Sequence, residues 1–170
     1  MPKISRPRIY FILALALILQ LTVLDYIKIA GVKPDILLIV VIFFGLFLGK
    51  GPGLESGFAA GLAKDLFALD FFGINAFVFA LTGLLAGSLG ERFSRESRKT
   101  QVLLVTLLTA FSMTLHFIIV SIFSKWVYLN FGEYLAGSIM PTCIYTALAS
   151  IPIFFKLMKT YNIRGPEEYL

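Results

Sequence analysis

Apolar residues fill this chain in long runs, and short polar pieces interrupt them. The first run covers Ile9 to Leu24 behind a start that carries Lys3, Arg6 and Arg8, and the second, Ile36 to Leu48, opens behind Pro34-Asp35. Proline suits a helix start, where its missing N–H costs nothing. Gly49-Lys50-Gly51-Pro52-Gly53 reads as a turn that sets the second run antiparallel to a third, about Pro52 to Leu69. The third is the least hydrophobic, since it holds Glu55, Lys64 and Asp65. A fourth run, about Ile74 to Leu89, follows Asp70-Phe71-Phe72-Gly73, and the polar piece Glu91 to Lys99 separates it from a fifth, Gln101 to Phe123. The sixth covers about Tyr134 to Phe155, with kinks expected at Pro141 and Pro152.

A helix needs about 20 apolar residues to cross a bilayer core. The pattern therefore predicts an all-α membrane protein, a six-transmembrane-helix bundle with spans near residues 9–27, 35–49, 52–69, 74–90, 101–123 and 134–156 in a single integral membrane domain over residues 1–170. A re-entrant third segment is the alternative. Ala14-Leu15-Ala16 lies too early in the first run for a signal-peptide cleavage site, so that run is expected to stay attached as a span.

Composition agrees and narrows the class. The chain is 58% hydrophobic and 15% charged, with mean hydropathy +0.88, a balance far from that of a soluble domain. Six crossings use roughly 120 residues, which leaves no length for a soluble domain. With the N-terminus inside, the cytoplasmic pieces hold 11 of the 15 Lys and Arg, and the outer pieces only Lys28, Lys33 and Lys125. Positive charge marks the cytoplasmic side, so both ends are expected in the cytoplasm. A re-entrant third segment would move the Arg92 to Lys99 loop outside, against that rule. The basic balance needs no nucleic acid, because the charges sit in short loops beside an anionic membrane surface. Cys143, the single cysteine, rules out an intrachain disulfide or a cysteine-ligated metal.

Within the third run Gly53, Gly57, Gly61 and Asp65 recur every fourth residue, a stripe without side chains that ends in a carboxylate. Gly45 and Gly49 precede it and Gly83 and Gly87 follow it at the same spacing. Small faces let helices in lipid pack backbone to backbone, which makes Gly53, Gly57, Gly61, Asp65, Gly83 and Gly87 the candidates for helix or partner contact. Intramembrane ionisable groups are functional candidates by default, and Asp65 leads them. Lys64 is expected to snorkel outward along its stem.

His116, the one histidine, ends a polar line through Thr106, Thr109 and Ser112 on the fifth run. At 1.5 Å per residue Asp65 and His116 both stand about 6–7 Å beyond the midplane, so a buried polar pair is one reading. In the other, Asp65 caps a nearby helix end or meets Thr or Tyr hydroxyls. Tyr26, Phe71, Phe72, Trp126, Tyr128, Phe131 and Tyr134 collect at the outer ends, as an interfacial belt or as an outer docking surface, with Phe71, Phe72, Trp126 and Tyr128 its candidates. No nucleophile, base and oxyanion donors assemble, nor any metal or cofactor set, so no catalysis is expected.

The run from Pro34-Asp35 through Gly53-Leu54-Glu55-Ser56-Gly57-Phe58-Ala59-Ala60-Gly61-Leu62-Ala63-Lys64-Asp65-Leu66 to Gly73-Ile74-Asn75-Ala76 and Gly83-Leu84-Leu85-Ala86-Gly87 resembles MreD, the small membrane protein family of the bacterial rod-shape system. Length, the six-run hydropathy and the basic loop after the fourth run share the likeness. Lys64 departs from the neutral aliphatic residue more usual beside the aspartate. The resemblance implies a non-enzymatic scaffold of the cell-elongation machinery, which builds peptidoglycan, in complex with MreC and through it with MreB, RodA and the class B penicillin-binding protein. The family's fold is in turn similar to the S-components of energy-coupling-factor transporters, and this implies a rival role, binding a small vitamin near the outer face.

Overall fold

Helix α2 (Ile36–Leu48) has no polar side chain, and a helix apolar on every side must be covered on every side. In the structure, a computed structural model that describes residues 5–22, 26, 32–68, 71–93, 97–123, 131–161 and 163, every residue of α2 from Leu37 to Leu48 is buried. Its cover comes from α1 (Arg6–Thr22), α3 (Lys50–Asp65), α4 (Ile74–Gly90), α5 (Arg98–Phe123) and α6 (Phe131–Thr160). All regular secondary structure among the described residues is helical. At 13 residues α2 is only about 20 Å long, and it lies inside the protein instead of against lipid. Among the described residues, α5 and α6 are the helices long and apolar enough to cross a membrane alone.

The helices differ from the expected segments at their ends. The turn expected over residues 49–53 shrinks to Gly49, whose φ of 98° closes α2 and opens α3 in one residue. Pro52 already lies in the first turn of α3, where proline takes no hydrogen bond away. α3 stops at Asp65, four residues before the expected end, and Leu66 and Phe67 turn away. α6 is longer than expected at both ends. After a first α-helical turn, Phe131–Tyr134, comes a π-helical turn, Leu135–Ile139, two residues before Pro141, a wider turn of the kind that accommodates a missing N–H. The helix runs on through Pro152.

Two ends of the bundle contrast. At one, α2 meets α3 across Gly49, and Gly45, Gly83, Gly87 and Gly90 bring three backbones together. Phe43, Phe47 and Phe154 interlock there, with Phe43–Phe154 centroids 5.3 Å apart and Tyr161 stacked beside Phe43. At the other end lie the close of α1, the start of α2, the end of α3 and the start of α4, and there aromatic contacts of Phe117 with Phe131 and Tyr134 tie α5 to the start of α6. The surface between the ends is apolar: Phe11 on α1, Phe58 on α3, Leu103, Leu107 and Ile122 on α5, and Ile144 and Leu148 on α6 are all exposed. Gln20, Asn75, Thr82, Gln101 and Ser150 are buried instead.

Candidate functional site

The α3 stripe lies directly on α4, antiparallel to it. A Cβ added at Gly53 would collide with the carbonyl oxygen of Gly83, at Gly57 with that of Phe79, and at Gly61 with that of Asn75. Gly83 meets Gly53 in the reverse sense, and a Cβ at Gly87 would come 2.5 Å from the Lys50 nitrogen. All six glycine and aspartate positions singled out in the sequence fall on this one seam. The seam also includes Gly45, where a Cβ would come 2.6 Å from the Gly83 oxygen.

Asp65 ends the stripe at the opening turn of α4. Its Oδ1 accepts from the Asn75 backbone N–H (3.1 Å) and the Asn75 side-chain amide (2.8 Å). Its Oδ2 accepts from the N–H groups of Gly73 and Ala76, both at 3.0 Å. Each oxygen thus has two donors, and the carboxylate is only 4% exposed. The first N–H groups of a helix lack partners within it, and the helix dipole there favours a negative charge. Asp65 supplies both from a neighbouring helix. Gly73, at φ 99°, turns its own N–H toward the carboxylate. These bonds are the helix-cap alternative to an Asp65–His116 pair; His116 lines a cavity that Asp65 does not border.

A second aspartate starts α2. Asp35 Oδ1 accepts from the Leu38 N–H at 3.0 Å, the local N-cap geometry. Its Oδ2 accepts from the Lys64 ammonium at 2.7 Å, an ion pair with 30% and 15% of the lysine and aspartate side chains exposed. Lys64 Nζ also stands 4.7 Å from the centre of the Phe79 ring. The lysine expected to snorkel outward is held at the start of α2 instead, because a carboxylate and an aromatic face lie within reach of its stem. Gln20 of α1 binds both sides of the same turn, donating to the Pro34 carbonyl and accepting from the Ile36 N–H. Thr146 of α6 accepts from the Asp35 N–H at 3.2 Å.

Between this turn and α5 lies a cavity of about 460 Å³. Lys64, Asp35 and Asn75 border it on one side, and Thr109, Ser112 and His116 of α5 on another. Of the polar line on α5, Thr106 turns away and bonds the Val102 carbonyl. Thr109 is fully buried, and its hydroxyl has no hydrogen-bond partner. Glu55, away from the cavity, accepts from the Tyr10 hydroxyl at 2.6 Å. Phe71 and Phe72 are exposed at 49% and 64%; Trp126 and Tyr128, the other docking candidates, lie outside the described residues. Among the described residues no cluster of acidic, histidine or cysteine side chains has metal-binding geometry.

Sequence reading missed the Asp35–Lys64 pair and the Gln20 and Thr146 supports. Its one available signal was Pro34-Asp35, which marks a helix start but not which side chains reach it. The family model described as rod shape-determining protein MreD matches residues 3–163 of the 170. No curated protein and no solved structure matches significantly.

Proposed function

Because this chain belongs to the MreD family of rod shape-determining proteins, we propose that it is a non-enzymatic membrane scaffold of the bacterial elongation machinery. It acts by assembling with an MreC-like single-span protein, and through it with MreB, RodA and the class B penicillin-binding protein. The family match over nearly the whole chain carries this reading. It is supported by a surface that exposes Phe, Leu and Ile while Gln, Asn, Thr and Ser are buried, the arrangement a bilayer rewards.

In this proposal all six helices cross the plasma membrane. The Gly49 end, with Arg6, Arg8, Lys50, Arg92, Arg98, Lys99, Lys156 and Lys159, faces the cytoplasm, and the cavity end faces out. The shortness of α2 is no obstacle, since its ends lie within protein, where non-spanning backbone is tolerated. Cysteines placed at Ser97 and Arg164 are expected to resist an impermeant thiol reagent in intact cells, while one at Asn130 is labelled; Cys143 is buried. Labelling at Ser97 from outside would overturn this topology. The functional test is affinity purification from bacterial membranes. A co-purifying MreC-like protein is expected, and a bound vitamin with no such partner would overturn the scaffold reading.

A further inference from the structure

An open groove of about 410 Å³ lies between α4 and α5, on the side of α4 away from the cavity at the start of α2. Leu85 of α4 and Leu107 and Phe111 of α5 border it, and all three are exposed. Leu108, buried between the helices, closes it from behind. At the Gly49 end of the bundle Arg92 also borders the groove, just past the end of α4 at Gly90. Leu85 and Arg92 are seven residues apart, roughly 10 Å along the helix axis. The groove is therefore apolar along the helices and cationic at one end.

The cation is accessible and uncommitted. Arg92 is exposed, and no side chain among the described residues bonds or pairs with it. Glu91, the residue before it, is held by Lys50 at 2.8 Å. Ser88, the groove's described hydroxyl, donates to the Leu84 carbonyl at 3.0 Å. The guanidinium presents five N–H groups in a planar fork that fits two phosphate oxygens at once. A zwitterionic lipid brings its own ammonium to the same place, and an anionic one does not. We propose that the groove holds one anionic phospholipid, its phosphate on the Arg92 fork and an acyl chain along Leu85, Leu107 and Phe111. The inference rests on the membrane reading above, in which this end of the bundle meets the cytoplasmic leaflet, whose surface is negative. Ordinary boundary lipid touches one helix face, whereas a chain in this groove touches two helices while its headgroup meets a fixed charge.

The test is thermal unfolding of the purified full-length protein in detergent, titrated separately with phosphatidylglycerol, phosphatidylcholine and soluble glycerol phosphate. Wild type is compared with Arg92→Gln, Leu107→Ala and Lys159→Gln, the last an exposed cation at the same end that does not border the groove. Phosphatidylglycerol should raise the wild-type midpoint, and neither of the other two compounds should. Without lipid Arg92→Gln should unfold at the wild-type temperature, since its side chain is exposed. The apparent affinity for phosphatidylglycerol should fall at least fivefold in Arg92→Gln, fall less in Leu107→Ala, and stay within twofold of wild type in Lys159→Gln. Should Arg92→Gln not fold, the loss in Leu107→Ala decides alone. An equal rise with phosphatidylcholine or with glycerol phosphate, wild-type affinity in Arg92→Gln or Leu107→Ala, or an equal loss in Lys159→Gln overturns the proposal. Labelling of Ser97 from outside would overturn the topology and leave this binding result standing, so the two readings fail separately.

Discussion

The α3–α4 seam and the cavity beside Asp35 lie in one small bundle, and each contains an aspartate at a helix start, yet they are built on opposite principles. In the seam, glycines at every fourth position bring two backbones so close that no side chain fits between them. All four hydrogen bonds to Asp65 come from the next helix's first residues. At the cavity the backbones stand apart, side chains from α1, α3 and α6 converge on the first residues of α2, and one hydroxyl remains without a partner. Close packing leaves the seam one arrangement. The other region keeps a cavity of about 460 Å³. The difference teaches that a carboxylate in a membrane bundle is not by itself a functional site; what surrounds it decides.

If that contrast holds, the largest losses come from the seam. Gly61→Leu, or Gly57→Leu, would force a side chain into the space held by the Asn75 or Phe79 carbonyl. Overpacking costs about 1–3 kcal/mol in ordinary cores, and here the obstacle is backbone that cannot rotate aside. Loss of folded protein in detergent, and of partner co-purification, is expected. Leu62→Ile, one position along and off the stripe, should be mild. A folded and partner-competent Gly61→Leu protein would show that α3 and α4 do not pack this way.

Removing the cap comes next. Asp65→Ala leaves the Gly73, Asn75 and Ala76 N–H groups and the Asn75 amide without their acceptor. Buried groups of that kind make the cost on the order of 3 kcal/mol, read as a lowered unfolding midpoint. Lys64→Met should cost less, about 1–2 kcal/mol, because the pair with Asp35 keeps some solvent and the Leu38 N–H still serves the carboxylate. Lys64→Met with Asp35→Asn should recover part of the loss. A larger effect from Lys64→Met than from Asp65→Ala would reverse the ranking of the two regions.

The seam was legible in the sequence because its signal is local: four-residue spacing of glycine survives in any helix, whatever it packs against. The Asn75 amide that completes the cap lies ten residues from Asp65, within the same Gly-Ile-Asn turn on which the family resemblance rests. The cavity region was not legible, since its contacts join residues far apart in the chain. Asp35 meets Lys64 29 positions away and Thr146 111 positions away. Nothing in local spacing selects those pairs over an outward-pointing lysine. Depth along the helices, which sets Asp65 and His116 at one height, is limited for a related reason. It fixes height in the bundle but not direction around each helix, and two side chains at one height can face different neighbours.

The smallest expected effect tests that last point. Asp65 and His116 belong to the two different regions: the carboxylate has two donors on each oxygen from the start of α4, and the imidazole stands at the cavity with Thr109 and Ser112. Asp65→Asn should lower stability, since an amide offers one acceptor where the carboxylate offered two. His116→Gln should change it on its own account. Residues without shared partners combine their effects to within about 0.5 kcal/mol. The double variant is therefore expected to lose the sum of the two single losses in a detergent unfolding series. A combined loss clearly smaller than the sum would mean that the imidazole and the carboxylate act on each other, and the boundary between the sealed seam and the open cavity would have to move to include Asp65.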